Sequence, residues 1–277
     1  GINNDSAIAG IAPGVTILPV KVLDATGQGT TDTITNGIRY AVAAGASIIN
    51  LSLGGTEDDP LLLAAIQDAH AAGVTVVAAS GNDSGSSLNY PARYAGTVAV
   101  SAVQYDGTRA PYANYGTGLG IMAPGGNPSI DQNTDGNPDG IPAQTCAGIP
   151  CLSFSTQFIA GTSQAAAHIS GVVALLRACG ATATQAESAL TSTATDLGST
   201  GYDTGYGYGV VNAQAALAAV GCVSTSPSTP GNITVTAGGV ATTQLSTTRA
   251  WPYATPAFHW VAVSGLSYRV TWGRVGT

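Results

Sequence analysis

The sequence predicts an α/β fold, a doubly wound parallel sheet with helices on both faces. Apolar runs of strand length alternate with stretches of helical periodicity, an order typical of parallel strands joined by crossover helices. Residues 74–80 and 97–103 are apolar almost throughout, as expected for strands that helices cover on both sides. With 277 residues, 44% of them hydrophobic, the chain is large enough to bury such a core.

The first half of the chain holds most of the predicted elements. We expect strands at 15–22, 46–53, 74–80 and 97–103, and helices at 33–45 and 59–72. Ile34, Ile38 and Ala41 recur at helical spacing in the first helix. Gly45 supplies a stop for that helix, and Pro60 suits the first turn of the next.

The second half begins with a segment that breaks this alternation. Residues 125–145 are rich in Gly, Pro, Asn and Asp and are predicted to form an insertion loop. Three helices are expected after it, at about 162–178, 184–193 and 212–219.

A change of composition near residue 223 predicts a domain boundary. The stretch 223–232 (VSTSPSTPGN) is a Ser/Thr/Pro linker by composition. We therefore expect a first domain at 1–222. Short alternating runs at 233–277 predict strands of a partial β domain, which resembles part of a β-sandwich.

Composition excludes two classes of function. Only 8% of the residues are charged, the net charge is −7 and Lys21 is the single lysine. Nucleic-acid binding needs a basic surface, so it is not expected. The sequence contains no stretch of about 18 apolar residues, so no transmembrane helix and no membrane partner are expected.

The four cysteines are Cys146, Cys151, Cys179 and Cys222. They have neither the spacing of zinc ligands nor neighbouring histidines. An even count in a lysine-poor, Ser/Thr-rich chain favours disulfides and an oxidising compartment. Of the three possible pairings we expect Cys146 with Cys151 and Cys179 with Cys222, and free buried thiols are the alternative.

Residues 161–171 (GTSQAAAHISG) place Ser163 at the start of a long predicted helix. Unpaired N–H groups and the positive end of the helix dipole stabilise negative charge there. Taken alone, the serine would be a helix cap. The segment resembles the nucleophile motif of the subtilase family, in which Ser163 would be the catalytic nucleophile. Gln164 and Ala167 stand where that motif usually has Met and Pro.

A second segment, 76–82 (VVAASGN), ends a predicted strand in a turn. It is similar to the subtilase segment that completes the oxyanion hole. The resemblance implies that the Asn82 amide and the backbone N–H of Ser163 face the oxyanion together. An ordinary turn is the alternative reading of Gly81–Asn82.

The resemblance also implies a peptide-binding cleft. Residues 50–55 (NLSLGG) are similar to the family's N-x-S-L-G-G segment. The residues implied to hold the substrate are Gly27, Gln28, Gly29, Ser52, Leu53, Gly54, Ala79, Ser80 and Gly81. Asp83 and Asn89 would lie at the floor of the specificity pocket, where Asp83 would favour a basic side chain. The likeness covers about residues 1–220 and implies a secreted, monomeric serine endopeptidase acting on proteins or peptides.

Two segments predict structural calcium. Oxygen-bearing side chains follow an EF-hand-like spacing at Asp131, Asn133, Asp135 and Asp139, with Gly at the sixth position and the backbone carbonyl of Asn137 as the ligand at the seventh. A plain acidic loop is the alternative. The segment 2–8 resembles a subtilase calcium loop, whose ligands would come from Ile2, Asn4, Ser6 and Ile8. A polar turn is the alternative there.

A serine nucleophile needs a base and an orienting acid, and none is expected in this chain. In subtilases the catalytic Asp and His precede the segment that matches residues 2–8. The three histidines, His70, His168 and His259, do not match the catalytic position. We therefore expect a truncated protease lacking the N-terminal segment that supplies both groups, with little activity by itself. A peptide-binding pseudoprotease is the alternative.

Overall fold

The structure, a computed structural model, describes residues 8–146 and 153–222, and the backbone of Thr236–Ala237 and Val240–Ala241. Four strands form a parallel sheet in the order β1-β2-β3-β4. They are β1 (Ile48–Leu51), β2 (Thr75–Ala79), β3 (Thr97–Val103) and β4 (Ile121–Pro124). Their carboxyl ends therefore meet at one edge of the sheet, where α/β proteins place their ligands.

Among the described residues, five helices pack around the sheet. They are α1 (Thr31–Ala43), α2 (Pro60–Ala71), α3 (Thr162–Ala178), α4 (Ala183–Ser192) and α5 (Ala213–Ala219). Side chains alternate between the two faces of β2, because successive residues of a strand point to opposite sides. Val77 belongs to the core shared with α3, α4 and α5. Val76 belongs to the core shared with α1 and α2. The predicted doubly wound α/β fold is confirmed.

The predicted strand at 15–22 is wrong. Val15, Ile17 and Leu18 are exposed, Ile17 by 75%, and within the described residues no strand pairs with this segment. Apolar content alone does not make a strand, because strands form by pairing their backbone groups with a neighbour.

The predicted insertion loop at 125–145 is only partly a loop. Its end forms β5 (Ile141–Cys146), which pairs antiparallel with β6 (Phe154–Ile159). Most residues of this hairpin are exposed. β5 alternates half-buried and exposed residues, but β6 is exposed almost throughout, so the hairpin has no buried apolar face by which its strands could be recognised in sequence. β6 leads directly into α3, so the hairpin adjoins Ser163.

The predicted disulfide between Cys179 and Cys222 is present. It joins the end of α3 to the segment that follows α5 and closes a sequence separation of 43 residues. Cys146 is also disulfide-bonded. Its predicted partner, Cys151, lies outside the described residues.

The chain divides into two compact units, Gly1–Val223 and Ser224–Thr277. In the second unit, β7 (Thr236–Ala237) pairs antiparallel with β8 (Val240–Ala241). The other strands predicted at 233–277 lie outside the described residues. In the part of the chain that the structure describes, no helix has the length and apolar character needed to cross a bilayer.

Candidate active site

Three loops converge at the carboxyl edge of the parallel sheet. Ser52 follows β1, Asn82 lies three residues after β2, and Gly125 follows β4. The N–H of Gly161 donates to the carbonyl of Gly125 over 3.1 Å. This contact ties the start of α3 to the end of β4 and brings Ser163 to the same edge.

Ser163 is the second residue of α3, which has no side-chain cap. The N-cap is Gly161, with φ at +155°. A Cβ at this position would lie 2.7 Å from Oε1 of Gln164 and 3.6 Å from Nδ2 of Asn82. Glycine therefore lets the Gln164 side chain lie against the backbone beside the serine, whereas Asn82 Nδ2 would stay at ordinary contact distance.

The amide of Asn82 is held in one orientation by Thr162. Its Oδ1 accepts hydrogen bonds from the backbone N–H and the hydroxyl of Thr162, both at 2.9 Å. Thr162 is fully buried, so this anchor is fixed by the core. Because Oδ1 is engaged, the Nδ2 end of the amide is the end available to an anion beside Ser163.

Ser163 and Ser52 are joined by two hydrogen bonds. Ser52 Oγ donates to the carbonyl of Ser163 over 2.9 Å, and Ser163 Oγ donates to the carbonyl of Ser52 over 3.4 Å. Asn50 Nδ2 donates to Ser52 Oγ over 3.0 Å. The Ser163 hydroxyl thus faces a peptide carbonyl, which orients the hydroxyl but is too weak a base to remove its proton.

Both described histidines are engaged away from the Ser163 hydroxyl. His70 Nε2 lies 3.3 Å from Oε2 of Glu187. His168 Nδ1 lies 3.0 Å from the carbonyl of Pro124, and burial lowers the pKa of its ring below the ordinary value. In the described ranges no histidine is hydrogen-bonded to Ser163. His259 lies outside them.

The structure brings two of the three predicted substrate segments to the serine. Residues 52–54 follow β1, and residues 79–81 end β2 and lead to Asn82. Gly27–Gly29 lie in an exposed turn closed by the Asp24 N–H donating to the Gln28 carbonyl over 2.8 Å. Gln28 and Gly29 line a groove that contains neither Ser163 nor Asn82.

The predicted pocket-floor pair is in contact. Asn89 Nδ2 donates to Oδ2 of Asp83 over 2.9 Å. The Asp83 side chain is exposed, so its charge is accessible to solvent. A preference for basic substrates stays a prediction.

The predicted calcium loop is ordered by its own side chains. Asp131 accepts hydrogen bonds from the N–H groups of Asp135 and Gly136, and Asp135 accepts one from that of Asn137. Asn133, Asp135, Asn137 and Asp139 line one pocket. Among the described residues, no three or more His, Cys, Asp or Glu side chains are grouped as metal ligands.

The second predicted calcium loop is described only at its end. Ile8 is half-buried, whereas Ile2, Asn4 and Ser6 lie outside the described residues.

Sequence reasoning missed the roles of two polar residues. The sequence places Thr162 within a motif but does not indicate that its hydroxyl and N–H orient Asn82. It gives no role to Asn114, which is 1% exposed. An asparagine within an apolar stretch was the only signal available for it.

Comparison with known proteins gives consistent matches. A model of the Subtilase family matches residues 1–209. Subtilisin BL of Lederbergia lenta is 39% identical over 217 residues, which are 78% of this chain and 72% of that protein. An alkaline protease of Alkalihalobacillus alcalophilus is also 39% identical, over 78% of this chain and 51% of that protein. A solved structure of proteases from Pseudoalteromonas arctica superposes with a TM-score of 0.70 at 36% identity, covering 79% of this chain and 67% of that one.

Proposed function

This chain belongs to the subtilase family of serine endopeptidases, and we propose that Ser163 is its nucleophile and Asn82 its oxyanion donor. One observation supports the assignment most strongly: the Asn82 amide is locked by Thr162, the residue next to Ser163. That lock directs Nδ2 toward the side where negative charge would develop. The substrates are proteins or peptides, bound along residues 52–54 and 79–81, with Gly27–Gly29 as a further edge.

The proposed reaction proceeds through an acyl-enzyme. Ser163 Oγ attacks the carbonyl carbon of the scissile bond while a base removes its proton. The carbonyl oxygen becomes an oxyanion beside Asn82 Nδ2 and the Ser163 N–H. The peptide C–N bond then breaks, the amine leaves with the proton, and water hydrolyses the ester.

We propose that none of His70, His168 and His259 is the base, so this chain by itself hydrolyses peptides slowly. Oxyanion stabilisation and binding alone leave about 10³–10⁴-fold catalysis over water, a range established in subtilisin. The test is hydrolysis of a fluorogenic peptide by the chain and by Ser163→Ala, His70→Gln, His168→Gln and His259→Gln. We expect weak activity that the histidine variants leave unchanged and that Ser163→Ala lowers only in part, because the oxyanion hole and substrate binding act without the serine hydroxyl. Efficient hydrolysis that depends on one histidine would identify the base and contradict the proposal.

A peptide-binding pseudoprotease is the second candidate. It is favoured by the Ser163 hydroxyl donating to the Ser52 carbonyl rather than to a base. Equilibrium dialysis with a labelled peptide, followed by mass spectrometry of that peptide, separates the candidates. Retention of intact peptide with no cleavage on long incubation would support the second. Slow cleavage with an acyl adduct on Ser163, absent in Ser163→Ala, would support the first.

We further propose that residues 131–139 hold structural calcium. Carboxylate and amide oxygens are the ligands calcium prefers, and four of the five predicted ligands line one pocket. Calcium titration is expected to raise Tm, and Asp135→Ala is expected to blunt the rise. Asp68→Ala, which changes an exposed aspartate of α2 far from the loop in sequence, is the matched control. An unchanged Tm on titration would contradict this site and the one proposed at Ile2, Asn4, Ser6 and Ile8.

We also propose that the protein acts outside the cell. The disulfide between Cys179 and Cys222 supports this, because structural disulfides persist mainly in oxidising compartments. Fractionation of the source organism with an antibody against this chain tests the location. Recovery of the protein from the cytoplasm alone would contradict it.

A further inference from the structure

We propose that Asn114 is a positioning residue for the oxyanion donor, an inference that rests on the proposed function of Asn82. Asn114 lies between β3 and β4, far from Asn82 in sequence. It is 1% exposed and is among the largest fully buried side chains of the described residues. Buried polar side chains are retained where all their hydrogen bonds are made.

The Asn114 side chain fills the loop that carries Asn82. Oδ1 accepts hydrogen bonds from the N–H groups of Asp83, at 2.8 Å, and Gly85, at 3.0 Å. Nδ2 donates to Oδ2 of Asp83 over 3.3 Å and to Oδ1 of Asn89 over 3.4 Å. One carboxamide therefore satisfies two backbone donors on the C-terminal side of Asn82.

The Asn114 backbone holds the N-terminal side of the same loop. Its N–H donates to the carbonyl of Gly81 over 3.0 Å. Its carbonyl accepts hydrogen bonds from Ser80 Oγ, at 3.0 Å, and Ser101 Oγ, at 2.7 Å. The residues on both sides of Asn82 are thus hydrogen-bonded to Asn114, whereas Asn82 itself is exposed.

The side chains of Asn114 and Asn89 pack closely against the backbone of this loop. Gly81 has φ at +112°, and a Cβ there would collide with the Nδ2 atoms of Asn114 and Asn89. The Asn114 side chain therefore helps to fix the position of the backbone that carries Asn82. Removing it would leave the N–H groups of Asp83 and Gly85 without their acceptor, and buried donors are costly to leave unpaired.

The test uses a probe that occupies the oxyanion position without turnover. A peptidyl boronic acid forms a bond from boron to Ser163 Oγ, the serine proton passes to solvent, and the tetrahedral boron becomes anionic. Its affinity is measured by isothermal titration calorimetry for the chain and for Asn82→Ala, Asn114→Ala, Asn114→Asp and the double variant Asn82→Ala/Asn114→Ala. Asn114→Asp keeps the acceptor but replaces the Nδ2 donor with an oxygen beside Asp83, and it serves if Asn114→Ala fails to fold.

Two controls separate positioning from general destabilisation. Asn212→Ala removes an asparagine whose side chain caps α5 through the N–H of Ala215, away from Asn82. It is expected to lower Tm and leave boronate affinity unchanged. The matching peptide without boron measures binding that does not use the oxyanion hole.

We expect each Asn114 variant to weaken boronate binding about tenfold or more beyond any loss of boron-free peptide binding, which also reports the contacts of Asn114 with Asp83 and Asn89. In the Asn82→Ala background the Asn114 substitution should have little further effect. Three outcomes would overturn the inference and leave Ser163 as the nucleophile. They are an unchanged boronate affinity, additive losses of boronate affinity in the double variant, and equal losses of affinity for the boronate and the boron-free peptide. Absence of any adduct on Ser163 in the unmodified chain would overturn the proposed function and this inference together.

Discussion

Two glycines allow the backbone to pack closely around Asn82. Gly161 and Gly81 both have positive φ values, and a Cβ on either would meet a polar side chain within 3 Å. Gly107 also has a positive φ, +83°, but a Cβ there would meet nothing within 4 Å. A side chain at Gly107 would therefore carry only the cost of positive φ, whereas one at Gly81 or Gly161 would also collide with a neighbouring side chain.

Gly81→Ala is expected to lower the free energy of unfolding more than Gly107→Ala. Both substitutions carry the cost of positive φ, about 1–2 kcal/mol. Gly81→Ala adds a collision with Asn114 and Asn89. Chemical denaturation of both variants measures the difference. Equal losses would show that the loop relaxes around the new methyl group and would argue against a fixed position for Asn82.

The pH dependence of stability should include a contribution from His168. Burial lowers the pKa of its ring in the folded protein, whereas the unfolded chain titrates near the ordinary value of about 6.5. Below that pH the unfolded state binds the proton more readily, so stability falls as the pH decreases from about 7 toward 5. The loss should be smaller in His168→Gln, measured by denaturation at several pH values. An identical pH profile in that variant would contradict the assignment.

At the scale of elements, helix α2 offers a direct test of its cap. Asp59 Oδ1 accepts hydrogen bonds from the N–H groups of Leu61, at 2.8 Å, and Leu62, at 3.4 Å. Asp59→Ala should destabilise the protein by about 1 kcal/mol. Asp68→Ala, on the exposed surface of the same helix, should cost much less. Equal effects in thermal denaturation would show that the cap contributes nothing specific.

Sequence periodicity predicted the helices better than the strands. The helix predicted at 162–178 is present as α3, and that at 33–45 begins two residues earlier, at a capping box formed by Thr30 and Thr33. These elements are identified by local spacing and caps. Whether a segment forms a strand depends on the strand with which its backbone pairs, and local spacing does not encode that partner. This explains the errors at 15–22 and at the hairpin β5–β6.

The site was predictable in part for the same reason. Ser163 and Asn82 lie in short motifs with local signals, and the structure brings both to one edge of the sheet. Asn114 acts through contacts with residues about 30 positions away. No pattern within its own segment predicts them.

For the whole molecule, the disulfide between Cys179 and Cys222 is expected to stabilise the first unit. It closes a separation of 43 residues, for which loss of a disulfide costs about 2–4 kcal/mol. The variant Cys179→Ser/Cys222→Ser should unfold at lower denaturant concentration with a similar cooperative transition. An unchanged midpoint would show that the termini of α3 and α5 are held by packing alone.

The central claim is that Ser163, beside Asn82, is the nucleophile and that neither described histidine activates it. The most direct measurement is reaction with a fluorophosphonate probe, with the modified residue mapped by mass spectrometry over time. We predict slow modification of Ser163, none in Ser163→Ala, and the same rate in His70→Gln and His168→Gln. Prompt modification that either histidine variant abolishes, or modification of a different serine, would contradict the account.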